Sequence, residues 1–426
     1  MRRAWRSRGQ GQAAGLLRSP ESAQQATYVE LFFDLVMVFA LNRLVASAVT
    51  GLEGPGLDSS DMARRWTALG RTVLVFVPLF WMWTITAYRT ARLDPRGPAA
   101  QWAILTTGFA LLIMGANVEH VFDGAGALPF ALSYVLGQLS WSVIFAVMLG
   151  GHPLARVYWR IALWFAGSGP FWILGALVPG PAHLLLWILA AVIDVGSARL
   201  GWPVPRLGRG RTSAWTAAPH HLADRYTQLV LIALGETFLA VGIIYSTGPD
   251  RGAGYATTAL VTAFVTVVLL WRIYFHRAGL VLGEAVAAAR DPAGLGRFVA
   301  SVHAVIIFGI VITAIGHELV QIHTLGRAYP AWLVLVLGGP ACFLAGRAAL
   351  EHAVFSRVSV RRWIGVGALL AAVLPLLTAP PLAAGITAAL VLFGIAVVDT
   401  RRAARRPPEP PHPADSRANW SWWRRG

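Results

Sequence analysis

Twelve long apolar runs constrain the fold of this 426-residue chain more than any other feature. A helix needs about 20 apolar residues to cross the hydrocarbon core of a bilayer, and the runs approach or reach that length. Pro, Gly and charged residues separate them. The runs cover residues 27–49, 67–88, 101–119, 129–150, 156–178, 182–200, 220–246, 254–276, 297–322, 330–350, 361–378 and 381–400. We therefore predict an all-α, polytopic membrane protein of about twelve transmembrane helices.

The composition indicates that lipid, rather than water, surrounds most of the chain. Hydrophobic residues make up 56% and charged residues 13%, whereas roughly a quarter of the residues of a soluble domain are charged. The net charge of +16 lies between apolar runs, where an anionic leaflet retains it, and no basic-aromatic binding motif accompanies it. We expect membrane lipids and no nucleic acid as partners, and a homo-oligomer is left open.

The arginines alternate between the loops and so predict an orientation. The two tails and every second loop contain 29 arginines, and the intervening loops contain four. Basic residues are retained on the cytoplasmic side, which predicts that both ends are cytoplasmic. All basic residues are Arg, which is typical of a GC-rich bacterial genome. The predicted location is the bacterial cytoplasmic (inner) membrane.

Matching sequences in the two halves predict an internal repeat. Asp194 and Asp399 end the sixth and twelfth runs, and each lies 35 or 36 residues after a Trp at the start of the preceding run. We predict two parallel six-helix repeats, a common transporter plan; chance similarity between apolar segments is the alternative. The predicted divisions are an N-terminal tail 1–26, a first half 27–200, a linker 201–219, a second half 220–400 and a C-terminal tail 401–426.

Charged and titratable residues inside the apolar runs are the candidate functional residues. A charge at the centre of a spanning helix costs about 2.5–3.5 kcal/mol on insertion scales, so such residues face the interior, pair or serve a function. The candidates for binding a substrate or ion, or for relaying protons, are Glu30, Asp34, His221, Asp224, Arg225, Glu236, His303, His317 and Glu318. No catalytic, metal or cofactor site is predicted.

In the first run, Glu30 and Asp34 are four residues apart and therefore share one helix face. Together they could bind a cation or carry a proton. Pairing with arginines of other helices is an equally open interpretation.

In the seventh run, His221, Arg225 and Glu236 fall within a stripe of about 80°, with Asp224 beside it. Glu236 lies deep in the run, roughly 22 Å from its start at 1.5 Å per residue. This depth favours a functional role for Glu236, and an ion pair with Arg43 or Arg71 is the alternative.

In the ninth run, His303, His317 and Glu318 fall within an arc of about 100°, and Gly309 and Gly316 lie on the opposite face. The glycines predict a close contact with another helix. A His–Glu pair could relay protons, because His titrates near neutral pH. For His303, a hydrogen-bonded structural role is favoured. His220 and His221 alone do not make a zinc site, which needs three or four ligands.

Three segments resemble the bacterial low temperature requirement protein A (LtrA) family. They are Glu30-Leu31-Phe32-Phe33-Asp34-Leu35, His221-Leu222-Ala223-Asp224-Arg225 and Leu234-Gly235-Glu236. The similarity covers about residues 27–400, and Asp224 stands where the family usually has Glu. It implies a multi-pass bacterial membrane protein associated with growth at low temperature, with no settled substrate.

Taken together, the repeat and the intramembrane carboxylates favour a secondary transporter of a small solute, with proton coupling as one option. Two alternatives are an ion channel and a lipid-linked membrane enzyme or stress-response protein. The channel is suggested by a weaker similarity of Phe33-Asp34 and Val38-Phe39-Ala40 to the first helix of potassium channels with an F-S-D motif.

Overall fold

A computed structural model describes residues 15–18, 25–53, 61–210, 218–405 and 410–413. This part of the chain contains helices and no β-strand, which confirms the all-α class. Most of both predicted tails, and residues 211–217 of the predicted linker, lie outside the described residues. The long helices of the described chain, named α1 to α12, are Tyr28–Glu53, Met62–Thr90, Pro98–Asn117, Ala127–Met148, Pro153–Leu177, Pro181–Arg199, Pro219–Thr247, Gly254–Tyr274, Pro292–Ile322, Pro330–Phe355, Val360–Ala371 and Pro381–Arg405.

Ten of these described helices are long and apolar enough to cross a membrane. The other two are α5 and α11. Helix α5 has 25 residues, but Arg156 and Arg160, together with its Trp, Tyr, Gly and Ser residues, make it less apolar. Helix α11 has only 12 residues, which at 1.5 Å per residue span about 18 Å, well short of a hydrocarbon core of about 30 Å. The predicted count of twelve is therefore not confirmed, and ten candidate spans are observed.

The early end of α11 follows from Pro375. Proline lacks an N–H, and its ring clashes with the carbonyl four residues earlier, which here belongs to Ala371, the last residue of α11. The chain continues in turns, with backbone hydrogen bonds that reach back three residues, as from Val373 N to Leu370 O at 3.3 Å. Hydropathy alone predicted one span over 361–378 because it does not register the lost hydrogen bond.

Proline begins many of the other helices. Its fixed φ suits the first helical position, where the missing N–H has no intrahelical acceptor in any case. The helices that begin with proline are α3, α5, α6, α7, α9, α10 and α12. Side chains cap two of them: Asp291 Oδ1 accepts from Gly294 N at 2.9 Å, and His152 Nδ1 accepts from Leu154 N at 3.2 Å.

Large apolar side chains are exposed along the helices, as expected of a surface that faces lipid. Trp102, Phe109, Leu136, Leu185 and Phe264 are each more than half exposed. Soluble proteins rarely expose apolar surface on this scale. Together with the ten apolar helices, this defines a multi-pass, membrane-embedded protein.

The chain divides into two compact units. The first unit contains residues 1–44 and 73–225, and in it α3, α4, α5 and α6 pack in sequence. Helix α1 lies close to α3 at Gly115, where an added Cβ would be 3.0 Å from Ala40 Cα.

The second unit contains residues 45–72 and 226–426. Its tightest packing joins α9 to α10. A Cβ added at Gly309 would lie 2.6 Å from Phe343 N, and one added at Gly316 would lie 2.9 Å from Val336 Cα. From the other side, a Cβ at Gly339 would lie 2.6 Å from Thr313 N. The predicted close contact of Gly309 and Gly316 with another helix is confirmed.

The two aspartates matched in the predicted repeat have unlike neighbours. Asp194, in the first unit, accepts hydrogen bonds from Tyr134 Oη at 2.8 Å and Trp172 Nε1 at 3.0 Å. Asp399, in the second unit, forms ion pairs with Arg361 and Arg362. The matched positions therefore do not share a role in packing, and the repeat stays a prediction.

Because the backbones of α9 and α10 touch at Gly309, we expect Gly309→Ala to lower the free energy of unfolding by about 2 kcal/mol, as overpacked sites do. The measurement is unfolding in detergent micelles. Gly394→Ala is the control, since a Cβ at that helical glycine meets nothing within 4 Å. Equal stability of the two variants would contradict the contact.

Candidate functional site

Four of the predicted residues, Glu30, Asp34, His221 and Arg225, meet in the first unit as one buried group, here named the charge cluster. Their side chains are at most 1% exposed. Glu30 and Asp34 come from α1, and His221 and Arg225 come from the first turns of α7. The cluster therefore joins segments 191 residues apart in the sequence.

The strongest contact in the charge cluster joins Arg225 to Asp34. Arg225 Nη1 donates to Asp34 Oδ2 at 2.6 Å, and Nη2 donates to Oδ1 at 2.7 Å. Such bidentate pairs are the strong, directional form of a salt bridge. Trp83 of α2 donates from Nε1 to Asp34 Oδ1 at 2.8 Å, and the guanidinium lies 5.5 Å from the centre of the Trp83 ring. Asp34 thus has three N–H donors and is held firmly.

Glu30 is held by a histidine and by the start of its own helix. Its Oε1 lies 3.0 Å from His221 Nε2 and 3.7 Å from Arg225 Nε. Its Oε2 accepts from the Thr27 backbone N–H at 2.9 Å and from Thr27 Oγ1 at 2.8 Å. Thr27 and Glu30 occupy the first and last positions of a capping box, in which the third helical residue reaches back to the N-cap. The positive end of the helix dipole also favours a carboxylate there.

The spacing of the two pairs determines how the helices run. Glu30 contacts His221, and one helical turn later Asp34 contacts Arg225. Two contacts that advance together along both helices require α1 and the start of α7 to run in the same direction.

The four side chains of the charge cluster do not balance one another in charge when His221 is neutral. Two carboxylates then face one guanidinium, and a proton on the Glu30–His221 pair would remove the excess negative charge. Arg18, which precedes α1, also interacts electrostatically with Glu30 and His221 and supplies further positive charge. Because uncompensated charge is costly in a buried site, both Arg18 and the protonation of this pair matter for the charge balance of the cluster.

Asp224, also in the first unit, lies outside the charge cluster. Its Oδ2 accepts a hydrogen bond from the Ala26 backbone N–H at 2.9 Å, just before α1 begins. It therefore ties the segment before α1 to α7.

In the second unit, His303 lies in a hydrogen-bonded aromatic site. Its Nδ1 lies 2.8 Å from Val299 O, and its Nε2 lies 3.0 Å from Tyr274 Oη. A carbonyl only accepts, so Nδ1 carries the proton, and in neutral His303 the Tyr274 hydroxyl donates to Nε2. Tyr226 stacks on the ring at 4.2 Å between centroids. The geometry matches a hydrogen-bonded structural histidine.

The other candidates of the second unit are buried as well. Glu236, His317 and Glu318 are 1%, 3% and 6% exposed. His317 and Glu318 form no ion pair within the described residues. They do not pair with each other because adjacent residues of a helix point about 100° apart. At the end of α1, Glu53 instead pairs with His323 at 2.8 Å.

Two residues of the site were not predicted from the sequence. Thr27 had a readable signal, because Thr-x-x-Glu before an apolar run is a capping-box pattern. Trp83 had no such signal, because nothing in the sequence distinguishes it from the other tryptophans among the 18 or indicates that it contacts Asp34. Within the described residues, no group of three or more His, Cys, Asp or Glu side chains is placed to hold a metal ion.

The fold and the buried charge cluster define a multi-pass helical membrane protein with titratable groups inside it. The chain matches the family of bacterial low temperature requirement A proteins (LtrA) over residues 25–397. It is also 30% identical over 338 residues to an uncharacterised protein of Rhizobium meliloti (strain 1021), a match that covers 78% of each chain. The chain belongs to the LtrA family. No solved structure matches it.

We expect Asp34→Leu and Arg225→Met each to lower the free energy of unfolding by about 3 kcal/mol or more, because each leaves a buried charge without its partner. The double variant should lose much less than the sum of the two. A double-mutant cycle measured by unfolding in detergent tests this.

The matched control is the partly exposed pair of Arg43 and Glu119, whose side chains are 35% and 29% exposed. An exposed pair contributes at most about 1 kcal/mol, so Arg43→Met and Glu119→Leu should be nearly additive. Additive losses at Asp34 and Arg225 as well would contradict the assigned pairing.

Proposed function

We propose that this protein is a proton-coupled secondary transporter of a small solute and that the charge cluster is its proton-binding element. The observation that carries the proposal is the buried contact of Glu30 with His221, 3.0 Å apart, beside a fully engaged Asp34–Arg225 pair. Intramembrane Asp, Glu and His residues recur in the proton relays of transporters.

The two halves of the charge cluster have different proposed roles. Asp34 and Arg225 neutralise each other and hold α1 to α7 whether or not a proton is bound. Glu30 carries the second carboxylate charge, which Arg18 partly offsets and which a proton on the Glu30–His221 pair would cancel. A bound proton therefore stabilises the conformation in which Glu30 and His221 are buried away from water. The strength of coupling depends on how much more tightly that conformation binds the proton than the alternative conformation does.

The surroundings of Asp34 support a transporter over a channel lined by the first helix. A pore-lining carboxylate faces water, whereas Asp34 is 0% exposed and accepts from Arg225 and Trp83. Freeing it for ion conduction would break a bidentate salt bridge.

The topology of twelve crossings, with both ends in the cytoplasm of a bacterial inner membrane, belongs to the same proposal. The common direction of α1 and α7 supports it, because an odd number of crossings must then lie between them, and α2 to α6 are five only if α5 crosses the membrane. In this topology α5 crosses the membrane and α11 with its following turns completes a pass. Two parallel repeats, with Glu236, His317 and Glu318 as further proton- or solute-binding groups, complete the proposed plan.

The test is transport by the purified protein in liposomes that contain a trapped pH dye, with currents recorded on a solid-supported membrane. Cations, amino acids and small organic acids form the panel. We expect saturable, solute-driven proton movement that falls to background in Glu30→Gln, because Gln preserves the size of the side chain and removes its proton site.

Glu119→Gln is the matched control: it removes a carboxylate paired with Arg43 outside the charge cluster and should transport normally. Full proton coupling in Glu30→Gln would refute the role of the cluster. Unsaturable cation leak in the wild type would indicate a channel, and silence across the panel would favour lipid-linked chemistry.

A further inference from the structure

A second buried polar group in the first unit surrounds Arg89, near the C-terminal end of α2. The Arg89 side chain is 3% exposed. Its Nη2 donates to the Gln138 backbone oxygen at 3.2 Å and to Ser142 Oγ at 2.8 Å. The guanidinium lies 5.3 Å from the centre of the Trp141 ring. One face of α4 therefore encloses it, and we name Arg89, Gln138, Trp141 and Ser142 the Arg89 cluster.

Most hydrogen-bond donors of the Arg89 cluster are uncommitted. Arginine has five N–H donors, and Nη2 accounts for two. Nε and Nη1 have no acceptor among the described residues, and Trp141 Nε1 has no partner there either. The side-chain amide of Gln138 lies against the Tyr134 hydroxyl, which accounts for one of its two N–H donors. Gln138 is 0% and Trp141 1% exposed. Because nearly all buried polar groups in folded proteins are hydrogen-bonded, a guanidinium with two uncommitted nitrogens beside an unpartnered Trp141 Nε1 requires an explanation.

The charge of Arg89 is uncompensated as well. No carboxylate of the described residues forms an ion pair with it, whereas buried Arg225 pairs with Asp34 and buried Arg362 pairs with Glu351 and Asp399. Buried Arg347 also lacks an ion pair, but it donates to the backbone carbonyls of Ile273 and His276 and interacts electrostatically with Asp399. A guanidinium stays protonated in proteins, and a buried charge without a partner is strongly destabilising. The protein tolerates Arg89 most readily if an anion from outside the chain supplies the missing charge.

We propose that the Arg89 cluster binds the carboxylate group of a small molecule. A carboxylate has two oxygens with about four lone-pair positions and accepts from guanidinium in a planar arrangement. Arg89 Nε and Nη1 supply charged donors, and the Gln138 amide and Trp141 Nε1 supply neutral ones. This site shares no residue with the charge cluster, and its occupancy does not depend on the proposed transport.

The test uses the purified full-length protein in detergent and measures its melting temperature at fixed sodium concentration. Formate, acetate, propionate, chloride and phosphate are compared. A ligand that binds only the folded state raises the melting temperature with its concentration. We expect a saturable rise with the carboxylates that disappears in Arg89→Met, whose apolar side chain has a similar length and no charge.

The control is Arg272→Gln, which removes an exposed arginine bonded to Thr400 and should leave the carboxylate response unchanged. Gln138→Leu and Trp141→Phe keep Arg89 and should weaken the response, so they test the site even if Arg89→Met does not fold. An equal rise with every anion, a rise with chloride or phosphate alone, or a full response in all cluster variants would overturn the proposal.

Discussion

The salt bridge between Asp34 and Arg225 is the interaction on which the polar interior of the first unit depends. Neither group would be stable in the apolar interior alone, and together they fix α1 beside the start of α7. With that pair in place, Glu30 and His221 are level with each other one turn away. Thr27 binds Oε2 of Glu30, and His221 Nε2 lies 3.0 Å from Oε1 and 3.3 Å from Oε2. A local helix-start signal and a contact between segments 191 residues apart therefore act on the same carboxylate, that of Glu30.

In the second unit, α9 and α10 pack through small residues rather than through polar contacts. Helices in lipid gain little from burying apolar surface against one another, so close backbone approach through small residues supplies much of the attraction. Gly309, Gly316 and Gly339 provide that approach between α9 and α10. The polar candidates of α9 share its other face, where His303 is held by Tyr274 and Val299. One helix thus separates its packing residues from its titratable ones.

The sequence was sufficient to predict the helices, their approximate ends, and the glycines of α9. These features are local, because hydropathy and helical periodicity depend on neighbouring residues. It was not sufficient to predict which charges pair: Asp34 and Arg225 lay among the candidates, but nothing in one sequence indicates that they touch. Pro375 was visible, yet its effect on α11 was masked by an apolar run. Arg89 falls just after the predicted run 67–88, among the loop arginines that predict the orientation, and its burial in α2 depends on α4.

A comparison of Arg225 with Arg89 shows why the charge cluster and the Arg89 cluster lead to different inferences. Arg225 is neutralised by Asp34 and lies near Glu30, so the variable element that we propose there is a proton on the Glu30–His221 pair. Arg89 has only a hydroxyl and a backbone carbonyl as acceptors, so the variable element there is an anion. Both conclusions follow from one requirement, that charge in a low-dielectric interior must be neutralised. They differ because the chain provides the counter-charge in one case and leaves it to a ligand in the other.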